Sequence, residues 1–567
     1  MYKTPLIRAI RMSVIGRDHF IKSAFGEKPL VYADYTASGR SLGFIERFIT
    51  QRVLPFYANT HSESSFTGAQ TNVLREQARE QIHRAVNASD EDLVIFCGSG
   101  ATAAINKLID ILQLRLPSVL IDPDRLDNPI TAPMRPVVFI GPYEHHSNEL
   151  PWRESLADVV TIPLNAHGQL DLIALSNTLN EYDERDLKIG SFSAASNVTG
   201  IKTDVDAVTQ LLHQHGALSF WDYAAAGPYV GINMQANNEE GDTYKDAVFL
   251  SPHKFIGGPG TPGVLIVKQQ LLSRRIPTAP GGGTVMYVTP EDHRYSDDVI
   301  RREESGTAAI VESIRAGLVF KLQQQVGTDE IERRETDFVT RALARWSACD
   351  AIEILGNPTI DRLSIIALRI KYQDKDLHYS FVVALLNDLF GIQARGGCSC
   401  AGPYGHTLLD MDREYSKAIE AQLLEGHMIL RPGWVRLNFN YFIDEASFEY
   451  IVHAVELIAE HGWRLLPYYK FDDTHQIWCY QNTQRLLVTH LDDMDSFIND
   501  SSAEQQLTNR GAENTAQLFE FYTQQAETEL CRGSRVAEAY VLTLPPAVEA
   551  LRWFVLPQEV TPLLEEQ

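Results

Sequence analysis

The chain has no run of about 18 or more consecutive apolar residues, so no helix built to span a bilayer is expected. Cysteine is scarce: Cys97, Cys349, Cys398, Cys400, Cys479 and Cys531 are six in 567 residues, too few and too scattered for a disulfide scaffold. A basic stripe is also missing. Lys and Arg number 50 against 74 Asp and Glu, a formal charge of -24, so a nucleic-acid partner is not expected. The acid excess by itself points only to solubility. The opening segment MYKTPLIRAIRMSVIGRDHF interrupts its apolar positions too often for a secretory signal, and cytoplasmic localisation is the expectation. Low-complexity tracts and internal repeats are absent too.

What remains is an ordinary globular composition, 44% hydrophobic and 22% charged, on a chain long enough for more than one domain. DLVIFCG (92–98), RPVVFIG (135–141), DVVTIPL (158–164), KIGSFSAAS (188–196), ALSFWD (217–222), AVFLS (247–251) and GVLIV (263–267) read as strands. ATAAINKLIDILQ and DAVTQLLHQHG between them read as amphipathic helices. Continuous apolar strands separated by helices predict an α/β unit with a largely parallel sheet. From about 310 the helical AAIVESIRAGLVFKLQQQVG leads into LSIIALRIKY, SFVVALLNDLFG, WVRLNFNYFI and the helical ASFEYIVHAVELIAEHG, a smaller α+β domain. The expected organisation is an N-terminal segment 1–30, a large domain 31–309, a small domain 310–465 and a Glu- and Gln-rich extension 466–567. Sequence assigns the extension no chemistry.

FLSPHKFIGGPGTPGVLIV (249–267) sets Lys254 between an apolar run and a glycine-rich turn. A Walker loop needs its glycines before the lysine, so a nucleotide reading fails there. A lysine held in a tight turn can instead form a Schiff base. In VIFCGSGATAAINKL (94–108) a strand runs through Gly98 and Gly100 into a helix, whose first amides form an anion site with Thr102 adding a hydroxyl. The same stretch, with Asp122 further on, is a loose dinucleotide fingerprint. Asp222 closes the strand LSFWD, an expensive place for a carboxylate unless a partner such as a protonated ring nitrogen is present. His145 and His146 in EHHSNELPW are not spaced to bind one metal from a helix face; stacking on an aromatic ring or proton transfer is the sharper reading. In GIQARGGCSCAGPYGH (391–406), Arg395 and small residues favour a reactive thiolate at Cys398 or Cys400. Those cysteines with His406 could hold zinc, but no fourth ligand is evident.

The order of these elements resembles the class V aminotransferase family of pyridoxal-phosphate enzymes, and within it the cysteine desulfurase branch, over roughly residues 30 to 465. VYADYTASG is similar to the family's opening YLDNAAT, and CGSGATAA to its TSGATE turn, which implies Gly100, Ala101 and Thr102 at the cofactor phosphate. EHHSNELPW is close to EHHAN..PW, implying that His145 stacks on the ring; SAASNVTG matches SNVLG, implying Asn197 beside the ring hydroxyl. WDYAAA aligns with VDGAQ and SPHKFIGGPGTPG with SGHKLYGPTGIG. These imply Asp222 at the pyridine nitrogen, Ser251 and His253 at the phosphate, and Lys254 as the Schiff-base lysine. EESGTA resembles FEAGTP, so Thr307 would reach the phosphate of a neighbouring subunit. GIQARGGCSCAGP lines up with GIAVRTGHHCAMP, implying a persulfide-forming Cys400, and WVRLNFNYF with CRASLAMYN, implying that Arg436 holds the substrate carboxylate.

The resemblance implies a fold type I homodimer that binds pyridoxal 5′-phosphate in a large domain, its sheet mixed, mostly parallel and seven-stranded. The activity it implies is removal of sulfur from L-cysteine, giving alanine and a persulfide on Cys400 for a sulfur-acceptor protein. Three departures stand out: Ala225 replaces a glutamine, Cys398 replaces a histidine, and the segment between Cys400 and Arg436 is lengthened. They leave open a carbon–sulfur lyase, an epimerase or a decarboxylase-like reaction on another amino acid. A noncatalytic partner protein and a nicotinamide-dependent dehydrogenase are the remaining alternatives.

Overall fold

The apolar runs predicted as strands assemble into one seven-stranded sheet. Its order across the sheet is Asp92–Cys97, Gly263–Lys268, Ala247–Leu250, Leu218–Asp222, Lys188–Ser193, Val137–Ile140, Asp158–Thr161. Gly263–Lys268 runs antiparallel to both neighbours and the other pairings are parallel. The computed structural model describes residues 3–60, 63–115, 134–235, 237–238, 241–481, 489–494, 515–532 and 539–560. Asp122, the acidic residue of the dinucleotide reading, lies outside them.

Both faces of this sheet are covered, which is why its strands read as unbroken apolar runs. Val94, Phe139, Phe192, Trp221, Val248 and Ile266 point to one core, while Ile95, Val138, Phe220, Phe249 and Leu265 point to the other. Helices Gly100–Ile111, Leu172–Glu181 and Val205–Gln214 connect strands. Asp171 and Asp204 start the last two by accepting hydrogen bonds from first-turn amides. Helix Ile310–Val326 packs on Phe66–Ala85 and adds Ala316, Val319 and Phe320 to the large-sheet core. Glu304 ties this region together by pairing with Arg75 and Arg79 and accepting from the Phe96 amide. Burial would raise its carboxyl, but the two guanidinium groups outweigh burial and hold it below the usual range.

A second, antiparallel sheet of five strands runs Ile352–Ile354, Ile365–Tyr372, Trp434–Asn438, Arg395–Gly397, with Lys375–Leu377 on the far part of Ile365–Tyr372. Helices Tyr379–Phe390 and Glu445–His461 share its core. So does the C-terminal extension. Its hairpin Tyr469–Asp472/Ile477–Tyr480 and helix Thr515–Arg532 bury Phe471, Trp478, Phe519, Tyr522 and Leu530 in that core. Lys28 of the N-terminal hairpin is sealed beneath this helix, its Nζ donating to Gln525 Oε1 at 2.6 Å. The long segment after Cys400 folds into helices Gly402–Leu408 and Arg413–Leu424.

Edge strand Asp92–Cys97 joins the rest of the large sheet through strand Gly263–Lys268. Gly263 N–H donates to the Gly98 carbonyl, and a Cβ on Gly263 would overlap the carbonyl group of Gly100. Backbone therefore lies directly on backbone at the start of helix Gly100–Ile111. Gly263→Ala is expected to lower unfolding free energy by about 1–3 kcal/mol, since overpacking must push the turn aside. Urea titration checks this, and an unchanged midpoint would contradict it.

Candidate active site

The carboxyl ends of the parallel strands, where α/β sheets commonly bind ligands, open into a cavity of about 1240 Å³. It is bounded on the other side by Arg436 from the second sheet and by the loop carrying Cys400. At its deep corner helix Gly100–Ile111 begins with Gly100 at φ +57. Gly100, Ala101 and Thr102 line the cavity together with Ser251 and His253. The Ala101 amide donates to Ser251 Oγ at 2.8 Å, and Thr102 Oγ1 shares a hydrogen bond with Ser147 Oγ at 2.6 Å. His253 Nδ1 lies 3.3 Å from Ser38 Oγ. Amides and hydroxyls converging on a helix start suit a dianion. Thr307 lies on the exposed rim of the same cavity, where Asn59 Nδ2 donates to its hydroxyl.

The centre of the cavity carries the unusual charges. Lys254 ends the short turn Pro252–Lys254. Burial pulls its amine down to about 8 against a partial upward pull from Asp222, with Arg436 and Arg395 adding repulsion. Asp222 is buried at its strand end; burial raises its carboxyl, opposed by the Ala224 amide at 2.7 Å and by Lys254. His145 is held near 3 by burial and then by Lys254, and its Nδ1 accepts the Ser147 amide at 3.1 Å. The ring is therefore neutral with its proton on Nε2. Burial and Lys254 likewise lower His253 to about 4. Beneath them Glu144 accepts from Ser193 N, Ser193 Oγ and Asn148 Nδ2, yet burial still lifts it to about 7.

Opposite Lys254, Arg436 Nη1 donates to the Asn197 carbonyl at 3.0 Å and Nη2 to Asp34 Oδ1 at 2.9 Å. Asn197 Nδ2 donates to the Ser399 carbonyl at 2.8 Å; its Oδ1 is buried with no hydrogen-bond partner among the described residues. Cys400 is exposed on the cavity wall, whereas Cys398 is partly buried against a cluster that includes Tyr143, Tyr404 and Trp434. His406 turns to Ser416 Oγ. Among the described residues no group of three or more His, Cys, Asp or Glu side chains is placed to hold a metal ion.

The structure thus gathers Lys254, Asp222, His145, Asn197, Ser251, His253, Gly100, Ala101, Thr102, Thr307, Arg436 and Cys400 around one space. One residue, Asp34, escapes the sequence reading, and His146, read there beside His145, takes a different role. Asp34 pairs with Arg436 from 402 positions away. His146 anchors the cysteine loop: its amide donates to the Cys400 carbonyl at 2.8 Å, and its Nε2 accepts the Gly402 amide at 3.0 Å. The paired histidines were the only local signal for it.

Comparison with known proteins agrees with this arrangement. A probable cysteine desulfurase of Staphylococcus aureus strain Mu50 is 29% identical over 380 residues, 66% of this chain and 84% of that protein. One from Halalkalibacterium halodurans is 28% identical over 66% of this chain and 85% of its own length. In fold, the chain is similar to a cysteine desulfurase from Thermococcus onnurineus, with a TM-score of 0.60, 20% identity, and coverage of 76% of this chain and 95% of that one. It is also similar to one from Escherichia coli, with a TM-score of 0.57, 21% identity, and coverage of 76% and 94%. The family model for Aminotransferase class-V matches residues 31–421, and the chain belongs to that family, whose members are pyridoxal-phosphate-dependent enzymes of fold type I.

Proposed function

We propose that this chain removes sulfur from L-cysteine, releasing alanine and leaving a persulfide on Cys400. The observation that carries the reading is one cavity joining an amine with a lowered pKa, a buried carboxylate and an exposed thiol. The donor set also fits pyridoxal 5′-phosphate: a helix start with hydroxyls for its phosphate, Asp222 for its ring nitrogen, and the orphaned Asn197 Oδ1 on the cavity wall. Gly100, Ala101, Thr102, Ser251 and His253 would hold the phosphate, His145 would lie on the ring face, and Lys254 would take the aldehyde. When bound, this cofactor supplies an electron sink for the substrate's α-carbon.

The chain's own residues do the rest. With its pKa near 8, about a tenth of Lys254 is free amine at pH 7, against one part in a few thousand for an ordinary lysine. Lys254 Nζ can therefore take and return the α-proton. Neutral His145 can donate from Nε2 without adding a second cation beside Lys254. Arg436 would orient the substrate carboxylate, its planar fork shared with Asp34. Cys400 accepts the sulfur: the substrate's carbon–sulfur bond breaks and a sulfur–sulfur bond forms. The thiol proton completes the methyl group of alanine, so no outside oxidant or reductant enters. A thiol-bearing acceptor then takes the persulfide sulfur. The reading includes a second copy of the chain, with Thr307 at the neighbouring phosphate. For localisation, the bearing observation is that no helix among the described residues is long and apolar enough to cross a membrane.

Cys400→Ser is expected to leave cofactor absorbance and affinity unchanged while cutting alanine production from L-cysteine by at least ~10²-fold. Undiminished turnover would assign the chain a reaction that needs no thiol. A second prediction concerns the amine alone. In the cofactor-free protein, reductive trapping of a small aldehyde at Lys254, followed by peptide mass spectrometry, rises with a midpoint near pH 8. Asp222→Asn moves that midpoint lower, because Asp222 favours the charged amine. A midpoint in the ordinary lysine range would contradict the electrostatic account.

A further inference from the structure

Two parts of this chain lie at or beyond the end of the family match: the segment after Cys400, which straddles that end, and the extension beyond residue 465. The family match ends at residue 421. In the structure these parts meet. Tyr415 Oη donates to the Leu551 carbonyl at 2.9 Å, and Trp553 Nε1 donates to the Leu430 carbonyl at 3.1 Å. The extension also joins the edge of the second sheet, with the Asp376 amide donating to the Trp553 carbonyl and the Val555 amide to the Asp376 carbonyl. Phe554, Val555 and Leu556 are buried there.

Trp553 heads a column of rings. It stacks on His378 at 5.1 Å and 22°, and lies parallel to Tyr379 at 6.1 Å and 9°. His378 is locked in place by the Ile429 carbonyl, 3.2 Å from its Nε2. The Tyr379 ring in turn rests on bare backbone: a Cβ on Gly396 or on Gly433 would stand 2.8 Å from it. Gly396 belongs to the strand Arg395–Gly397, which pairs with the strand bearing Arg436 and leads straight into Cys398–Cys400.

That loop is strained. Ser399 and Cys400 sit consecutively at φ +54 and +56, beside Gly397 at +116. Non-glycine residues in this region are strained and persist only where the surroundings dictate them. On the cavity side the dictating contacts are Asn197 to Ser399 and His146 to Cys400 and Gly402. On the other side stands Tyr379, backed by Trp553.

We infer that the extension and the long segment act as one clamp, in which Trp553, His378 and Tyr379 are positioning residues that hold the Cys400 loop in its transfer geometry. The inference rests on the reading of Cys400 as the sulfur acceptor, but part of its test does not. In the full-length, cofactor-loaded protein, Trp553→Ala is expected to speed amide hydrogen exchange in residues 396–402 at least tenfold. It also lowers kcat for alanine formation at least tenfold, while KM for L-cysteine and cofactor absorbance stay unchanged. Trp553→Phe, which keeps a flat ring, restores most of both. Phe519→Ala, which removes a tail ring stacked on Tyr450 at 4.2 Å, leaves exchange in 396–402 as in the parent. If the Trp553→Ala chain fails to fold, Trp553→Leu carries the same comparison with apolar bulk retained.

Parent-like exchange in 396–402 for Trp553→Ala, or an equal change in Phe519→Ala, would overturn the clamp. If the parent forms no alanine from L-cysteine, the desulfurase reading falls, and the exchange measurement still decides whether the column holds the loop.

Discussion

The structure depends on the contact between two stretches of bare backbone, Gly263 against Gly98 and Gly100. One strand of the large sheet runs against the others, and its first residue must pass the start of helix Gly100–Ile111 with no side chain between them. That passage leaves the helix's first amides facing Ser251 and the turn that carries Lys254. Gly263, the last glycine of the turn after Lys254, is thus a packing requirement of the same corner that exposes the helix start. The exposed helix start and the placement of the amine are one geometric solution.

Electrostatics then divide the cavity. Burial lowers Lys254, His145 and His253 together, so three basic groups crowd one space while both histidines stay neutral and Lys254 alone carries charge at neutral pH. Asp222 and Asp34 face this set from two sides, one behind Lys254 and one on Arg436. Further positive charge, fixed at any pH near neutrality, sits on Arg436 and Arg395, where a carboxylate-bearing substrate would be drawn. Cys400 closes the cavity on that side, carried by a loop whose backbone is held from two directions.

Much of this was legible in the sequence because burial on both faces leaves an unmistakable record. All seven strands of the large sheet appear as apolar runs, and the inner ones are buried on both faces. The residues singled out around Lys254 converge because their motifs sit at strand ends, which the sheet aligns. Other features left no local trace. Helix Phe66–Ala85 is rich in charged and polar residues, and its apolar stripe is thin. Asp34 finds Arg436 only through the pairing of distant segments, and His146 becomes meaningful only once the cysteine loop lies over it. The extension's Phe519 and Tyr522 are scattered in a Gln- and Glu-rich stretch, yet they finish the core of the second sheet.

The central claim is that sulfur leaves L-cysteine for a thiol of this chain and that the carbon skeleton departs as alanine. It is tested most directly by incubating the cofactor-loaded protein with L-cysteine and a thiol reductant, then measuring alanine, sulfide and pyruvate together. Equal amounts of alanine and sulfide, with no pyruvate, are predicted. Sulfide accompanied by pyruvate and ammonia in place of alanine would contradict the account.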